Sequence, residues 1–156
     1  MIDDLEKELK QTKPFTSNEE AVMLSILVTA EHVRARGAEL FKTKDLTHPQ
    51  YNVLRILRGT GAVGLSCREI GDRMITRDSD ITRMLDRLEN RGLINRERQE
   101  DDRRVVLVFI SESGLELLRE LDGPVTEMNK ATLGHLKQDE LETLSRLLKK
   151  ARNPDS

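Results

Sequence analysis

Apolar positions recur at helical spacing along most of this chain. Ile2, Leu5 and Leu9 set a rhythm that Pro14 interrupts, which predicts a short amphipathic arm within residues 1–13. Met23, Ile26, Leu27, Ala30, Val33, Leu40 and Phe41 then predict one long helix over about 17–43, opened by the capping-box pair Ser17 and Glu20. Thr47 and Gln50 repeat that box with Pro49 in the tolerant first turn. The stripe of Tyr51, Leu54 and Leu57 predicts a helix over about 48–58, ended by Gly59 and Gly61. Ser66 and Glu69 form a third box before a short helix over about 67–74. A further helix is expected over about 77–91, between Thr76 and Gly92.

After Gly92 the rhythm changes. "LINRER" and "VVLVFI" flank the charged turn "QEDDRR" and predict a hairpin of two short strands, the only β signal in the chain. Alternation places Phe109 opposite Val106, Val108 and Ile110, partly exposed unless another helix covers it. Ser111 caps a long helix carrying Leu115, Leu118, Leu121, Val125 and Met128, with a bend expected at Gly123-Pro124. A last helix over about 138–151 carries Leu141, Leu144, Leu147 and Leu148.

Two short helices joined by a tight turn and followed by a charged hairpin predict a mainly α fold: a winged helix-turn-helix with a two-stranded β wing. The expected division is an N-terminal arm and dimerisation helix over 1–45, the winged domain over 46–111, and C-terminal dimerisation helices over 112–156. The flanking stripes offer more apolar surface than a winged domain of 66 residues can readily cover, and a homodimer buries the surplus.

Composition narrows the function classes. With 156 residues, 35% charged and 3% aromatic, the chain resembles a helix-rich soluble protein of one domain with extensions. Its first residues are too charged for a signal peptide, and no apolar run approaches the roughly 20 residues of a membrane span. A cytoplasmic protein with no membrane partner is expected. The single Cys67 excludes an intrachain disulfide and a cysteine-based zinc site, and reads as a silent small residue. His32, His48 and His135 show no ligand spacing, so neither metal nor other cofactor is expected. Without a nucleophile, base and orienting group, or a Gly-rich phosphate loop, no enzyme is expected.

The net charge of −2 does not announce nucleic acid, so any DNA argument must be local. From Ser66 to Arg104 there are ten arginines and ten carboxylates, a segment rich in arginine yet neutral. On a wheel of residues 77–91, Ile81, Met84, Leu85 and Leu88 gather on one side. Ser79, Thr82, Arg83, Asp86 and Asn90 gather opposite, with Arg87 beside them. Hydroxyls, amides and guanidiniums are the groups that bond base edges and phosphates in a major groove, although an ordinary solvated helix face carries the same groups.

"LTHPQYNVLRIL", "SCREIGDRM", "DITRMLDRLENRGLINR" and "DDRRVVLVFISESG" together resemble the MarR family of bacterial transcription regulators over about residues 20–150. Asp102-x-Arg104 followed by Ile110-Ser111-x-x-Gly114 is similar to the family's wing signature, with conservative changes. Thr82-Arg83 with Asp86-Arg87-Leu88-Glu89 is similar to its recognition helix. The resemblance implies a regulator of double-stranded DNA, a repressor released by a small aromatic or phenolic effector. It assigns Arg104 to a minor groove, where a narrow A·T-rich groove attracts arginine. Arg103 becomes a phosphate partner, and Asp102 supports the wing by pairing with an arginine of its own domain.

Glu100 and Asp101 fit this picture less well because they repel phosphate. Asp80 departs from the family's small hydroxyl residue and either favours a cytosine amino group or weakens phosphate binding. His48 and Tyr51 open a helix near where the family's effectors bind, although a satisfied histidine and a core tyrosine fit the same positions. A winged helix serving as a protein-interaction module without DNA binding is the rival reading, which the neutral charge suits.

Overall fold

The computed structural model describes residues 2–76, 80–99 and 105–153, the side chains of residues 2–4 excepted. Helix α1 (Ile2–Glu8) ends earlier than the apolar rhythm suggests. Lys10 adopts φ 52° and the Gln11 N–H reaches the Glu6 carbonyl at 2.9 Å, a Schellman-type ending that forms before Pro14 is reached. In α2 (Asn18–Lys42) the Ser17 hydroxyl accepts the Glu20 N–H at 3.2 Å. The Glu20 carboxylate, however, turns to the N–H and hydroxyl of Thr16, so the expected box is one-sided. A second Schellman-type turn, with Asp45 at φ 52° and the Leu46 N–H on the Phe41 carbonyl, ends α2.

Helices α3 (His48–Thr60) and α4 (Cys67–Arg73) both begin with reciprocal capping boxes, Thr47 with Gln50 and Ser66 with Glu69. Between them lies a strand the hydrophobic pattern did not show. This is β1 (Leu65–Ser66), and it pairs antiparallel with β3 (Val106–Ile110), which in turn pairs with β2 (Ile94–Arg98) in the order β1-β3-β2. The hairpin is therefore not the whole β content. Two residues are too few to show alternation, but they satisfy the backbone groups on the outer edge of β3. Phe109 is half-buried, as expected. Its ring lies against Gly64, where a Cβ would come within 2.5 Å of the ring.

Helix α5 (Ile81–Asn90) packs Met84, Leu85 and Leu88 inward. Helix α6 (Glu112–Leu133) runs through Gly123-Pro124 without interruption, and α7 (Gln138–Arg152) follows. Ser111 joins the wing to α6, since its N–H reaches the Leu93 carbonyl at 3.1 Å while its hydroxyl donates to Gly92 and accepts from the Gly114 N–H. One core forms from Leu54 and Leu57 of α3, Ile70 of α4, Leu85 and Leu88 of α5, Ile94 and Val108 of the sheet, and Leu118 and Leu121 of α6. Each such side chain contributes about 1.5–3 kcal/mol by leaving water. By contrast, Met23 and Leu27 of α2 are 59% and 57% exposed, and α7 has no buried residue, so these apolar faces lie outside the core.

Candidate nucleic-acid interface

Inward packing of Met84, Leu85 and Leu88 forces the other face of α5 outward. Thr82, Arg83, Arg87 and Asn90 are all exposed there. The described helix begins at Ile81 rather than near residue 77, which places Thr82 and Arg83 in its first turn, where backbone N–H groups lack partners within the helix. Arg83 sits 3.5 Å from the Asp80 carboxylate, so that acid pairs with one of the outward arginines of α5. Arg87 lies where α5 faces the start of α3, beside a cleft of about 510 Å³ that Thr47 and Gln50 also line. Ser79, Asp102, Arg103 and Arg104, together with Glu100 and Asp101, lie outside the described residues.

Asp86 lies on the side opposite the buried residues, half-exposed, but another element holds it. Its Oδ1 lies 2.6 Å from Nη1 of Arg96, which also reaches Glu89 at 3.0 Å. The helical wheel could not show this because the partner belongs to another element. Arg96 is half-buried on β2, paired in register with Val108 and so on the same sheet face as Ile94. The alternation Ile94-x-Arg96 was the signal for it. Arg91, at the end of α5, donates to the carbonyls of Lys44 and Asp45 and was likewise missed, because backbone acceptors leave no mark in a sequence.

His48 and Tyr51 do come together, and both meet Phe41. The Phe41 ring stacks on Tyr51 at 4.2 Å and on His48 at 5.4 Å between centroids. Burial, and then the Arg34 and Arg55 guanidiniums, hold His48 below its ordinary value. Burial pushes the Tyr51 phenol up. One turn after His48, Asn52 is buried. Its Oδ1 accepts from Arg55 at 3.2 Å, whereas its Nδ2 has no partner among the described residues. A buried unpaired amide donor is costly, so Asn52 joins Arg96 and Arg91 as a residue that the sequence pattern did not single out. Cys67 is half-buried against the core. No group of metal-ligating side chains and no helix long and apolar enough to cross a membrane occurs among the described residues.

Comparison with known proteins agrees with this architecture. The model of the MarR family matches residues 46–106. The HTH-type transcriptional regulator TtmR of Methylorubrum extorquens (strain PA1) is 38% identical over 94 residues, covering 60% of this chain and 47% of that relative. The chain thus spans about half the length of TtmR. A MarR transcription factor from Planctomyces limnophilus superposes with a TM-score of 0.68 at 39% identity, over 86% of this chain and 98% of that one. A mutant MarR from E. coli, complexed with operator DNA, superposes with a TM-score of 0.75 at 26% identity, over 83% of this chain and 91% of that one.

Proposed function

The chain belongs to the MarR family of transcription regulators, and from that premise we propose that it is a homodimeric repressor that binds double-stranded DNA by sequence and releases it for a small effector. The observation that carries this reading is α5. Its three buried residues, Met84, Leu85 and Leu88, fix the helix so that Thr82, Arg83 and Arg87 stand outward together. Family membership favours DNA over the protein-interaction module. In this reading Ser79, Thr82, Arg83 and Arg87 meet the major groove, Arg103 a phosphate and Arg104 a minor groove, with Asp102 supporting the wing.

Residues 1–45 and 112–156 supply the dimer around a DNA-binding unit of 46–111. The exposed Met23 and Leu27 of α2 and Leu147 of α7 are the surfaces a two-fold partner covers. Such a dimer places its reading helices in successive major grooves, so the site is pseudo-palindromic with half-sites roughly 10 bp apart. The effector is an aromatic or phenolic acid beside His48 and Tyr51. The stacked rings, the Arg34 and Arg55 charges and the unpaired Asn52 Nδ2 support that choice.

Selection of bound sequences from random DNA, followed by titration at two salt concentrations, tests the DNA reading. A symmetric enriched site whose affinity falls as salt rises is expected. Absence of enrichment, or affinity indifferent to salt, would overturn it. A panel of phenolic and aromatic carboxylates tests the effector reading, which fails if none shifts the melting temperature or releases the selected DNA.

A further inference from the structure

We propose that Arg96 is the positioning residue that joins the wing to the reading helix and makes the two bind DNA as one body. This rests on the DNA-binding reading above. The Arg96 guanidinium has three acceptors on α5: Asp86 Oδ1 at 2.6 Å, Glu89 Oε2 at 3.0 Å and the Thr82 carbonyl oxygen at 3.4 Å. Residues 82, 86 and 89 form one stripe along about two turns of the helix. A planar fork reaches acceptors spread over that length, which a single ammonium cannot do. The side chain is 23% exposed, so water and salt screen these contacts less than they screen the Arg83–Asp80 pair, whose arginine is 77% exposed.

The contacts act on the two DNA-facing elements at once. On α5 they resist rotation of the helix about its axis, the motion that would carry Thr82 and Arg83 away from base edges. On the sheet, Arg96 sits in the middle of β2, the strand that leads to the tip carrying Arg103 and Arg104. The hydrogen bonds therefore fix where the hairpin leaves the body relative to the reading helix. They also offset one of the two negative charges of Asp86 and Glu89, carboxylates that would otherwise both count against the phosphates that Arg83 and Arg87 meet. The inward face of a wing strand holds an arginine rather than an aliphatic residue because its partners are charges and a carbonyl.

The test uses the full-length protein and the site recovered by selection. Asp86→Asn removes an acid, so electrostatics alone would tighten binding, whereas the positioning role requires it to weaken binding by about tenfold. Arg96→Met should weaken binding by at least as much. It should also abolish preference for A·T over G·C in the flanks that the wing reads, while base preference at the half-site centres declines less. Arg96→Lys should fall between wild type and Arg96→Met. Adding Asp86→Asn to Arg96→Met should cost little more than Arg96→Met alone, because the two act through one contact.

Far-UV circular dichroism and melting temperature check that each variant folds. If Arg96→Met does not fold, the Asp86→Asn and Arg96→Lys measurements decide. Binding by Asp86→Asn as tight as wild type or tighter overturns the proposal. So does full retention of flank preference by Arg96→Met or, in its place, Arg96→Lys. Failure of the wild type itself to select any DNA overturns the DNA reading and this inference with it.

Discussion

Arg91 at the end of α5 donates from Nη2 to the Lys44 carbonyl oxygen at 3.1 Å, so α5 is tied to the turn that ends α2. The same guanidinium reaches the Asp45 carbonyl, and the Lys44 ammonium pairs with Glu120 of α6. Three elements distant in sequence therefore meet at one turn. Hydrogen bonds from a charged donor contribute about 1.5–3 kcal/mol when well shielded, and Arg91 is exposed, so Arg91→Met should cost about 1 kcal/mol. Urea unfolding measures it, and unchanged stability would mean that the tie is solvated away.

Gly114 stands where α6 crosses the start of the wing. A Cβ there would lie 2.3 Å from the Leu93 carbonyl oxygen and 2.8 Å from the Ile110 side chain, and the first of these is backbone that cannot move aside. Gly114→Ala should therefore destabilise by about 2–3 kcal/mol, at the upper end for overpacking. Ser111→Ala should cost less, about 1 kcal/mol, because it removes a cap without inserting bulk. Equal denaturation midpoints for Gly114→Ala and wild type would refute the close-approach account.

Reading helix and wing should fail differently. Arg104→Ala should weaken binding by about 1–3 kcal/mol, with a penalty that shrinks on sites with G·C-rich flanks, where the minor groove is wider. Thr82→Ala and Arg83→Ala should act at the half-site centres instead. Asp102→Ala should partly mimic Arg104→Ala, although loss of an acid would otherwise strengthen binding. Affinities at fixed salt on matched and flank-altered sites distinguish these cases. Tighter binding by Asp102→Ala with no change for Arg104→Ala would reduce the tip to a solvated loop.

His48 should make stability depend on pH between about 5.5 and 7.5. Burial and the nearby Arg34 and Arg55 charges hold its folded value below the ordinary 6.5. As pH falls through 6.5, the unfolded chain takes up a proton that the folded one resists, so stability is fully present above that pH and is lost below it. The lowered carboxylates Glu19, Glu20 and Glu69 depart downward from 4.5, so their effects fall below this window. The melting temperature of wild type should therefore fall more between pH 7.5 and 5.5 than that of His48→Gln. Parallel curves would show that His48 does not set the dependence.

Local pattern sufficed wherever one segment supplied both partners of an interaction. The boxes at Thr47 with Gln50 and Ser66 with Glu69 form because the residues lie three apart on the same helix end, and the inward set of α5 follows from helical periodicity. The resemblance that led to the family rests on similarly local runs. Tertiary structure alone decided the rest, because the deciding partner came from elsewhere in the chain. Two residues at Leu65–Ser66 become a strand only because the edge of β3 needs pairing. Asp86 is one more outward group on the helical wheel until β2 folds across α5 and presents Arg96. Arg91 is one arginine among ten in its segment until the turn at Lys44 offers two carbonyl oxygens. Spacing along the chain determines which side chains share a face, but the face opposite is set by packing between elements, and that packing chooses which charges meet each other and which are left for a partner.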